Sequence, residues 1–410
     1  MPSPQVLAVH RYFWPDAPPY AAMLRNIAGR WGRDGADVAV VTAQPSYRGG
    51  QHKRPAREAI DGFQVRRVPA VAGKGVRAAV DLVAFPLTVA SAILARRPAP
   101  DVVMCSTVPQ VTLGVATAAA ARARGASFVY HCMDLHPEIG RLSGEFANPT
   151  VYRALAALDR WTMRRATRIV VLSQDMRDSV LARDPRLAAK TVILNNFSLP
   201  DFEAPVASPL PPPDADVLRV VFTGNIGRFQ GLESVVEAMA GLPSGSRVEL
   251  VFMGDGKAKE ALAAQAEAVP LSDGVRIVFV PQGPVSAAKA LMATAHVGIV
   301  SLMPEVVRYA YPSKTATYAQ AGLPMLVICE QDTELARTVR EEGLGWSVSA
   351  GDTPAVVAAI TDAQARRDSA GLAPLVDRVQ RYAETHFAEE AVLDRWAALL
   401  AEIIAERKAG

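Results

Sequence analysis

Short apolar runs and amphipathic segments alternate along most of this chain. Runs such as Val6–Val9, Ser127–His131 and Val275–Val280 predict buried strands, and the segments between them place apolar residues three or four positions apart, as on one face of a helix. Strands that alternate with helices at this spacing predict a mostly parallel sheet covered on both faces. The chain is therefore expected to have an α/β fold.

A proline-rich segment divides this alternation into two halves. Residues 201–216 include APVASPLPPPDAD, which has little capacity for regular structure and predicts a domain boundary. We therefore expect an N-terminal domain of residues 1–200, a linker of 201–216 and a C-terminal domain of 217–380. A last amphipathic helix, within residues 381–410, has no strand after it. Two doubly wound domains would face each other across a cleft, and ligands of such sheets bind at the carboxyl ends of the strands.

Charge is distributed unevenly between the halves. Residues 1–200 contain 26 Lys and Arg against 14 Asp and Glu, whereas the remainder contains 18 against 27. The basic half, which includes a basic loop at Arg48–Arg57, predicts contact with an anionic partner such as a membrane surface, with an ordinary solvated surface as an equal alternative. The three cysteines form no CxxC pair and the N-terminus has no basic leader, so we expect a cytoplasmic protein without a secretory signal.

The longest apolar segment is Leu82–Ala95, which is too short to span a bilayer. It predicts a core helix, interrupted at Pro86, or a helix that lies in a membrane interface. The segment is flanked by basic residues, Lys74, Arg77, Arg96 and Arg97, a pattern that fits either interpretation, and the core helix is slightly favoured.

The stretch Leu218–Ala240 combines a strand, a glycine-rich turn and a helix. The strand ends at Phe222, glycines follow at 224, 227 and 231, and a helical pattern begins at Leu232. This arrangement is typical of a phosphate-binding loop, because glycines let the backbone approach an anion and a helix N-terminus offers N–H groups. Arg228 lies inside the turn and could contact a phosphate oxygen. An ordinary strand-to-helix turn is the alternative.

Two further clusters follow strands in the C-terminal half. Gly254, Asp255 and Gly256 close the strand Arg247–Met253, where a simple turn is again an alternative. Ser313 and Lys314 stand at the start of a predicted helix. A hydroxyl, an amine and N–H groups at one helix start predict a second phosphate contact, whereas Ser313 alone would serve as an N-cap.

A fourth cluster, HCMDLHPE, ends a strand of the N-terminal half. It contains His131, Asp134, His136 and Glu138. A carboxylate that faces a cleft opposite two phosphate loops suits general acid/base catalysis or charge stabilisation, although capping or salt-bridging is the alternative for each side chain. No other region offers partner histidines at ligand spacing, so no metal site is expected.

These segments resemble the family 4 glycosyltransferases, which are retaining enzymes with the GT-B fold. The C-terminal half contains TGNIGRFQGLESVVEAM, VELVFMGDGKAKEALAAQA, VRIVFVPQGPVSAAKALMATAHVGIVSL and YPSKTATYAQAGLPMLV in the order of that family's nucleotide-sugar half. The N-terminal half contains RYFWPDAPPYAAMLRNIA, VAVVTAQPSY, DVVMCSTVP, HCMDLHPEIG and RIVVLSQDM followed by VILNNF, as in the branch that builds bacterial surface polysaccharides. The ordered set covers nearly the whole chain.

The resemblance implies two Rossmann-like domains, the first for an acceptor and the second for a nucleoside diphosphate sugar, with a closing helix that crosses back to the first. It implies metal-independent, retaining transfer, without a separate cofactor, from a donor in which a UDP-sugar is favoured over a GDP-sugar. The acceptor would be polyprenyl-diphosphate-linked or a glycan at the inner leaflet, with peripheral contact to an anionic membrane. Nucleic acid is not an expected partner, because no recognisable module is present.

The resemblance also assigns roles to individual residues. The donor and phosphate contacts would be Gly224, Asn225, Arg228, Gln230, Gly231, Gly254, Ser313, Lys314, Thr315 and Thr317. The candidate catalytic residues are Asp134, His136 and Glu138, and the candidate acceptor contacts are Asp16, Tyr20 and His131.

Several family positions carry other residues here. Residues 18–20 (Pro-Pro-Tyr) replace the usual glycines of the first loop, and Met133 replaces a histidine. In the phosphate loop, Asn225 replaces an arginine and Gln230 replaces a lysine. Tyr309 and Thr317 replace two glutamates. We expect Arg228 and Lys314 to supply the missing positive charge. The second of the replaced glutamates commonly holds the donor ribose.

Two other functions remain open at this point. A sugar-nucleotide epimerase of the same architecture would isomerise a nucleotide sugar without an acceptor, and a non-catalytic nucleotide-sugar sensor would bind the donor without turning it over. A nicotinamide enzyme is disfavoured, because Gly224-x-x-Gly227-x-x-x-Gly231 does not match G-x-G-x-x-G.

Overall fold

The structure, a computed structural model, describes residues 2–16, 19–46, 53–71, 75–198 and 204–409. Pro18, Arg48, Lys74 and residues 201–203 of the predicted linker lie outside these ranges. The chain divides into two units. The first contains Met1–Asn196, Tyr309–Tyr311 and Glu390–Gly410, and the second contains Phe197–Arg308 and Pro312–Glu389.

The first unit is built on an eight-stranded sheet with the order β3-β4-β2-β1-β5-β6-β7-β8. The strands are β1 (Gln5–Val9), β2 (Asp37–Ala43), β3 (Arg57–Ile60), β4 (Phe63–Val68), β5 (Val102–Ser106), β6 (Ser127–His131), β7 (Arg168–Val171) and β8 (Thr191–Ile193). All neighbours are parallel except β3 and β4. The strand order reverses between β1 and β5, and we call their carboxyl ends the first switch point, the position where such sheets bind ligands.

Helices connect these strands. They are α1 (Pro19–Arg33), α2 (Val76–Ala95), α3 (Thr112–Ala123), α4 (Glu138–Leu142), α5 (Pro149–Arg165) and α6 (Gln174–Arg183), followed by a 3₁₀ turn at Pro185–Lys190. Local signals explain where two of them begin. Asn148 caps α5 by accepting from Thr150 N at 2.9 Å, and Ser173 caps α6 by accepting from Met176 N at 3.2 Å.

The second unit has a six-stranded, fully parallel sheet with the order β11-β10-β9-β12-β13-β14. Its strands are β9 (Leu218–Thr223), β10 (Val248–Met253), β11 (Val275–Val280), β12 (Val297–Ser301), β13 (Met325–Ile328) and β14 (Gly345–Val348). Its helices are α7 (Glu233–Ala240), α8 (Lys259–Ala268), α9 (Val285–Met292), α10 (Val306–Tyr309), α11 (Lys314–Gln320), α12 (Glu334–Glu341), α13 (Thr353–Asp368) and α14 (Ala373–His386). The order reverses between β9 and β12, whose carboxyl ends form the second switch point.

The last helix, α15 (Glu389–Ala409), packs on the first sheet. Trp396 of α15 meets Trp31 of α1 edge to face, with ring centroids 6.0 Å apart, and its carbonyl accepts from Trp31 Nε1 at 3.2 Å. Each sheet has its own apolar core, one around Val103 and Phe128 and the other around Phe222 and Leu250. No helix in the described part of the chain is long and apolar enough to cross a bilayer.

Several predicted elements differ from the observed ones. The last residue of the predicted basic loop, Arg57, is the first residue of β3. Asp61 and Gly62, both at positive φ, form the tight turn that pairs β3 with β4 as a hairpin. The predicted interruption at Pro86 is wrong, since α2 continues through this buried proline. The sequence prediction also missed three helices, α4, α10 and α14.

Candidate functional site

The second switch point is an opening between two strands. β9 pairs with β10 along its whole length, up to Thr223 opposite Met253, but with β12 only as far as Val221. Tyr318 of α11 fills the space beyond, and its hydroxyl accepts from Thr223 N at 2.9 Å. β12 carries Gly298 beside it, where a Cβ would lie 2.7 Å from the Tyr318 ring. Tyr318 therefore fixes the start of α11 relative to the end of β9, a role that the sequence analysis missed.

The glycine loop after β9 lies directly on the loop after β10. Gly224 N donates to Met253 O, and Ile226 N donates to Asp255 O, both at 2.9 Å. A Cβ on Gly254 would lie 1.8 Å from Gly224 O. Gly254, a predicted donor contact, is buried, so its glycine identity is explained by this backbone contact. We assign it the role of supporting the Gly224 loop.

Side chains within the glycine loop hold its shape. Gln230 Oε1 accepts from Gly227 N at 2.8 Å, and a Cβ on Gly227 would lie 2.6 Å from Asn225 Nδ2. The loop is also tied to the end of β12, because Gln230 O accepts from the Ser301 hydroxyl. Asn225 and Gln230, both predicted donor contacts, thus shape the loop, and Ser301 is a supporting residue that sequence reasoning missed.

Lys314 reaches from the start of α11 to this loop. A Cβ on Gly224 would lie 4.0 Å from Lys314 Cε, and Lys314 Nζ lies 4.0 Å from the centre of the Phe222 ring. Burial lowers the pKa of the amine to about 8. No carboxylate among the described residues pairs with it. The structure thus brings together two predicted phosphate contacts, Gly224 and Lys314, that are far apart in sequence.

The other predicted contacts on α11 differ from one another. Ser313 makes no side-chain cap bond to the helix, so the N-cap alternative is not observed. The buried Thr315 hydroxyl has no hydrogen-bond partner among the described atoms. Thr317 is buried, and its hydroxyl donates to Ser313 O at 3.5 Å, within the helix.

Two glycine-loop residues complete the set of predicted donor contacts. Arg228 is exposed. Gly231 has φ +55, a backbone conformation that favours glycine. A Cβ there would lie 3.5 Å from Met303 Cγ, an ordinary contact, so the available space does not by itself require glycine.

The first switch point is filled by four buried polar side chains. His10 Nδ1 forms a hydrogen bond with the hydroxyl of Ser106, and the Tyr20 hydroxyl lies 2.9 Å from His131 Nδ1. The His10 and Tyr20 rings meet edge to face at 4.6 Å. Burial lowers the pKa of His10 and of His131 to about 3, so both imidazoles are neutral at pH 7. His10 and Ser106 were not predicted, although both directly end or follow strands at the reversal of strand order.

Of the candidate acceptor contacts, Tyr20 and His131 are therefore brought together. The third, Asp16, lies in the loop after β1, where its Oδ1 accepts from Ser46 N at 3.0 Å. His131 also packs against Trp396, with ring centroids 4.8 Å apart and the ring planes tilted by 58°, and its Nε2 has no hydrogen-bond partner among the described atoms. The buried Tyr20 and His131 at the first switch point are thus polar groups without charge at pH 7.

The predicted catalytic cluster has three distinct environments. Burial raises the pKa of Asp134 to about 6, and its backbone bridges Ala310. Burial, with the charge of Arg183, lowers the pKa of His136 to about 4, and its Nδ1 has no partner among the described atoms. Glu138 is buried and pairs with Arg183.

Glu138 belongs to a buried ionic network. Arg183 also donates to Asp159 Oδ2 at 2.6 Å, and the hydroxyl of Tyr130 donates to Asp159 Oδ1 at 2.8 Å. Because its carboxylate is committed to Arg183, we assign Glu138 a positioning role for the start of α4. Asp134 and His136 retain functional atoms that this network does not occupy. The described residues contain no group of three or more His, Cys, Asp or Glu arranged to hold a metal ion.

Comparison with known proteins matches both halves of the chain. Residues 20–196 match the model of a glycosyl transferase 4-like domain, and residues 218–365 match that of glycosyl transferases group 1. A curated relative, the probable glycosyltransferase WbjE of Pseudomonas aeruginosa, is 27% identical over 321 residues, which cover 75% of this chain and 76% of the relative.

Solved structures share the fold at low sequence identity. A sucrose-phosphate synthase from Thermosynechococcus elongatus superposes with a TM-score of 0.75 at 17% identity, covering 98% of this chain and 100% of that one. HepE of Anabaena, solved in complex with UDP-glucose, gives a TM-score of 0.67 at 17% identity, covering 97% and 99%. The shared fold is that of two parallel-sheet α/β domains.

Proposed function

Because this chain belongs to the family 4 glycosyltransferases with the GT-B fold, we propose that it transfers a sugar from a nucleoside diphosphate sugar to a lipid-linked or polysaccharide acceptor in bacterial cell-surface glycan synthesis. The transfer retains the anomeric configuration and needs no metal ion, and a UDP-sugar is favoured over a GDP-sugar. The enzyme works in the cytoplasm, in peripheral contact with an anionic membrane. The similarity to WbjE and the UDP-glucose complex of HepE support this reading.

The single observation that carries the proposal is the environment of Lys314. Lys314 is half-buried and its amine has no carboxylate partner among the described residues, so its charged form is disfavoured and the pKa of the amine is lowered. It lies beside the glycine at 224, where a side chain is absent. A diphosphate bound at this point would supply the missing negative charge. Lys314 would then stabilise the charge that develops on the leaving diphosphate when the sugar–phosphate bond breaks.

The acceptor would bind to the first unit. The buried groups at the first switch point are neutral and bonded in pairs, so they would form an uncharged base beneath the acceptor, which suits a sugar. Asp134, with a pKa of about 6, is ionised at pH 7 and would accept a hydrogen bond from the reacting hydroxyl. Its role is to orient that hydroxyl, and His136 would contribute a neutral donor or acceptor beside it.

The proposal is tested by incubating the purified protein with UDP-, GDP- and ADP-sugars and with bacterial membranes as the source of acceptor. We expect release of one nucleoside diphosphate together with transfer of labelled sugar into the lipid or glycan fraction. Lys314→Ala should lower this rate by about 100-fold or more. Lys289→Ala, which removes a half-buried lysine from α9 of the same unit, is the matched control and should retain activity. Equal rates for the two variants would refute the site.

The same assay separates two alternatives. An epimerase would convert the nucleotide sugar without an acceptor, and a sensor would bind it without any product. The sensor has one specific observation in its favour, because Thr317 replaces a glutamate of the family and its hydroxyl bonds within α11. Nucleotide binding without turnover over the whole acceptor panel would favour the sensor.

A further inference from the structure

The exposed apolar side chains of this protein are concentrated on one helix layer. Among the described residues, nine large hydrophobic side chains are exposed, and six of them belong to α2 and α5. These six are Val80, Val83, Leu87 and Leu94 of α2 and Val151 and Leu158 of α5. Single exposed apolar residues are ordinary, but a concentration on neighbouring helices marks an interaction surface.

The α2 residues form a stripe along one side of the helix. Positions 80, 83, 87 and 94 follow helical spacing, and Val83 and Leu87 are the most exposed at 58% and 60%. The opposite side of α2 is packed, with Phe85 and Val89 fully buried in the core of the first unit. α2 therefore has one face in the core of the unit and one exposed apolar face.

α3 lies between α2 and α5 and packs against both. Apart from Arg122 near its end, the exposed residues of α3 are alanines, so little stands between the α2 stripe and the exposed Val151 and Leu158, which we call the α5 stripe. The three helices thus form a continuous layer, which we call the α2–α3–α5 face.

The charge of this face has one sign. The three helices contain two acidic residues, Asp81 and Asp159, and both are buried in ion pairs, with Arg11 and Arg183 respectively. Their arginines are Arg77, Arg122, Arg153, Arg160, Arg164 and Arg165. The described surface of the face is therefore apolar and basic, without an exposed carboxylate.

A cavity of about 420 Å³ opens in the same layer, between the ends of α3 and α5. Arg122, Arg164 and Arg165 line it. Arg164 pairs with Asp184 at 2.7 Å, whereas Arg122 and Arg165 have no carboxylate partner among the described residues. Guanidinium groups in such a cavity are suited to a phosphate group.

We propose that the α2–α3–α5 face is a membrane-docking surface, in which the α2 and α5 stripes enter the interface of an anionic bilayer and the arginine-lined cavity takes a phospholipid headgroup. The combination of an apolar stripe with basic charge and no exposed carboxylate selects an anionic lipid surface over an acidic-patched protein or a neutral membrane. The inference gives the membrane contact of the proposed function a location. Its test needs neither donor nor acceptor, so the two can fail separately.

The experiment is flotation of the full-length protein with vesicles of phosphatidylglycerol and phosphatidylcholine, or of phosphatidylcholine alone, at low salt. We expect flotation with the anionic vesicles only. Val83→Glu and Leu87→Glu should each weaken binding by about tenfold or more, because each places a carboxylate in the apolar stripe. Val206→Glu, the same substitution at an exposed valine of the second unit, is the matched control and should bind as the wild type does.

A second pair of variants tests the basic part of the surface. Arg122→Ala should lower affinity for anionic vesicles by about fivefold, the effect of removing one cation near a charged membrane. Arg395→Ala, an exposed arginine on α15, removes the same charge from a different helix and should have little effect. Circular dichroism and urea denaturation confirm that each variant is folded.

Three results would overturn the inference. The first is a wild-type protein that stays at the bottom of the gradient with anionic vesicles. The second is equal flotation of Val83→Glu and Val206→Glu, which would place the contact elsewhere. The third is a wild-type dimer that Val83→Glu converts to a monomer in the absence of vesicle binding, which would assign the face to a second copy of the chain.

Discussion

The two switch points have the same topology and opposite contents. In the first unit, the ends of β1 and β5 are filled by His10, Tyr20, Ser106 and His131, which bond to one another and are buried. In the second unit, Tyr318 fills the space between the ends of β9 and β12, the loop after β9 is built on glycines, and the amine of Lys314 reaches that loop. The first switch point is therefore neutral and closed by side chains, whereas the second has a positive charge beside a glycine-rich loop.

This difference supports the proposed assignment of the donor to the second unit and of the acceptor to the first. An anionic diphosphate requires close approach of main chain and a positive charge, and the glycine loop with Lys314 offers both. A sugar acceptor brings no charge, and the buried imidazoles at the first switch point are neutral. In this proposal, the division of labour lies in what occupies the strand ends and not in the sheets themselves, as expected where function lies in sites placed on a common fold.

The largest expected effect on stability comes from placing a side chain at Gly254, against the glycine loop of the second switch point. Gly254→Ala would place a methyl group 1.8 Å from Gly224 O, a backbone atom that can move only with its whole loop. We expect a loss of about 3 kcal/mol of unfolding free energy, with loss of nucleotide binding. Urea denaturation and calorimetric titration with UDP measure the two effects. Gly32→Ala in α1, with open space around it, is the control and should be neutral or slightly stabilising.

The next effect is the pH dependence of the stability of the first unit, which contains the buried histidines of the first switch point. His10 and His131 have pKa values of about 3, and His136 about 4, all below 6.5 in the unfolded chain. The unfolded state therefore takes up more protons, and stability falls as the pH drops from 6.5 toward 3. At pH 5, each of these imidazoles lowers the free energy of unfolding by about 2 kcal/mol relative to its value well above pH 6.5. The second unit has one such group, His296, with a pKa of about 4.

The units can be followed separately, because Trp346 is the only tryptophan in the second unit. In a Trp346→Phe protein, fluorescence reports on the first unit alone, and its unfolding should shift to lower urea between pH 7 and pH 5. His131→Gln keeps an amide for Tyr20 without a titrating group and should reduce this shift. A shift that is unchanged in this variant would contradict the account.

A smaller effect on stability and binding is expected when the hydroxyl of Tyr318 is removed. Tyr318→Phe keeps the ring over Gly298 but leaves Thr223 N without its acceptor. We expect a loss of about 1.5 kcal/mol of unfolding free energy and weaker UDP binding, because α11 would no longer be fixed to β9. Denaturation and titration measure both. Tyr382→Phe, on α14, is the matched control. An unchanged UDP affinity in Tyr318→Phe would show that this bond does not position the site.

The smallest effect has the opposite sign. Lys314→Met removes a half-buried charge that has no carboxylate partner among the described residues, so we expect it to stabilise the unliganded protein by about 1 kcal/mol at pH 7 while abolishing UDP binding. Because the pKa of Lys314 is lowered to about 8, this gain should fade as the pH rises above 8 and the wild-type amine becomes neutral. A destabilised variant would indicate that the lysine is structural.

The sequence predicted the fold more fully than the site. Parallel strands and helices follow from apolar spacing, which depends only on local pattern and burial. The β3–β4 hairpin was missed although Asp61 and Gly62 are a recognised turn signal. Such short elements carry too few apolar residues to show a period.

The site was only partly predictable, because its supporting contacts are long-range. Gly224 and Lys314 could be found from strand-end position and residue type. Nothing in the sequence shows that Gly254 serves the backbone of Gly224, or that the hydroxyl of Tyr318 bonds to β9. Glu138 shows the opposite case. It lies in the segment that was predicted to be catalytic, but its carboxylate pairs with Arg183, a contact that the spacing of residues in the sequence does not reveal.

The most direct test of the central claim is a crystal structure of the protein with a bound nucleoside diphosphate sugar. The account predicts the diphosphate at the second switch point, with Lys314 Nζ and main-chain N–H groups of the glycine loop within about 3 Å of its oxygens. A diphosphate bound elsewhere on the protein, with Lys314 still packed on the Phe222 ring and out of reach of it, would contradict the account.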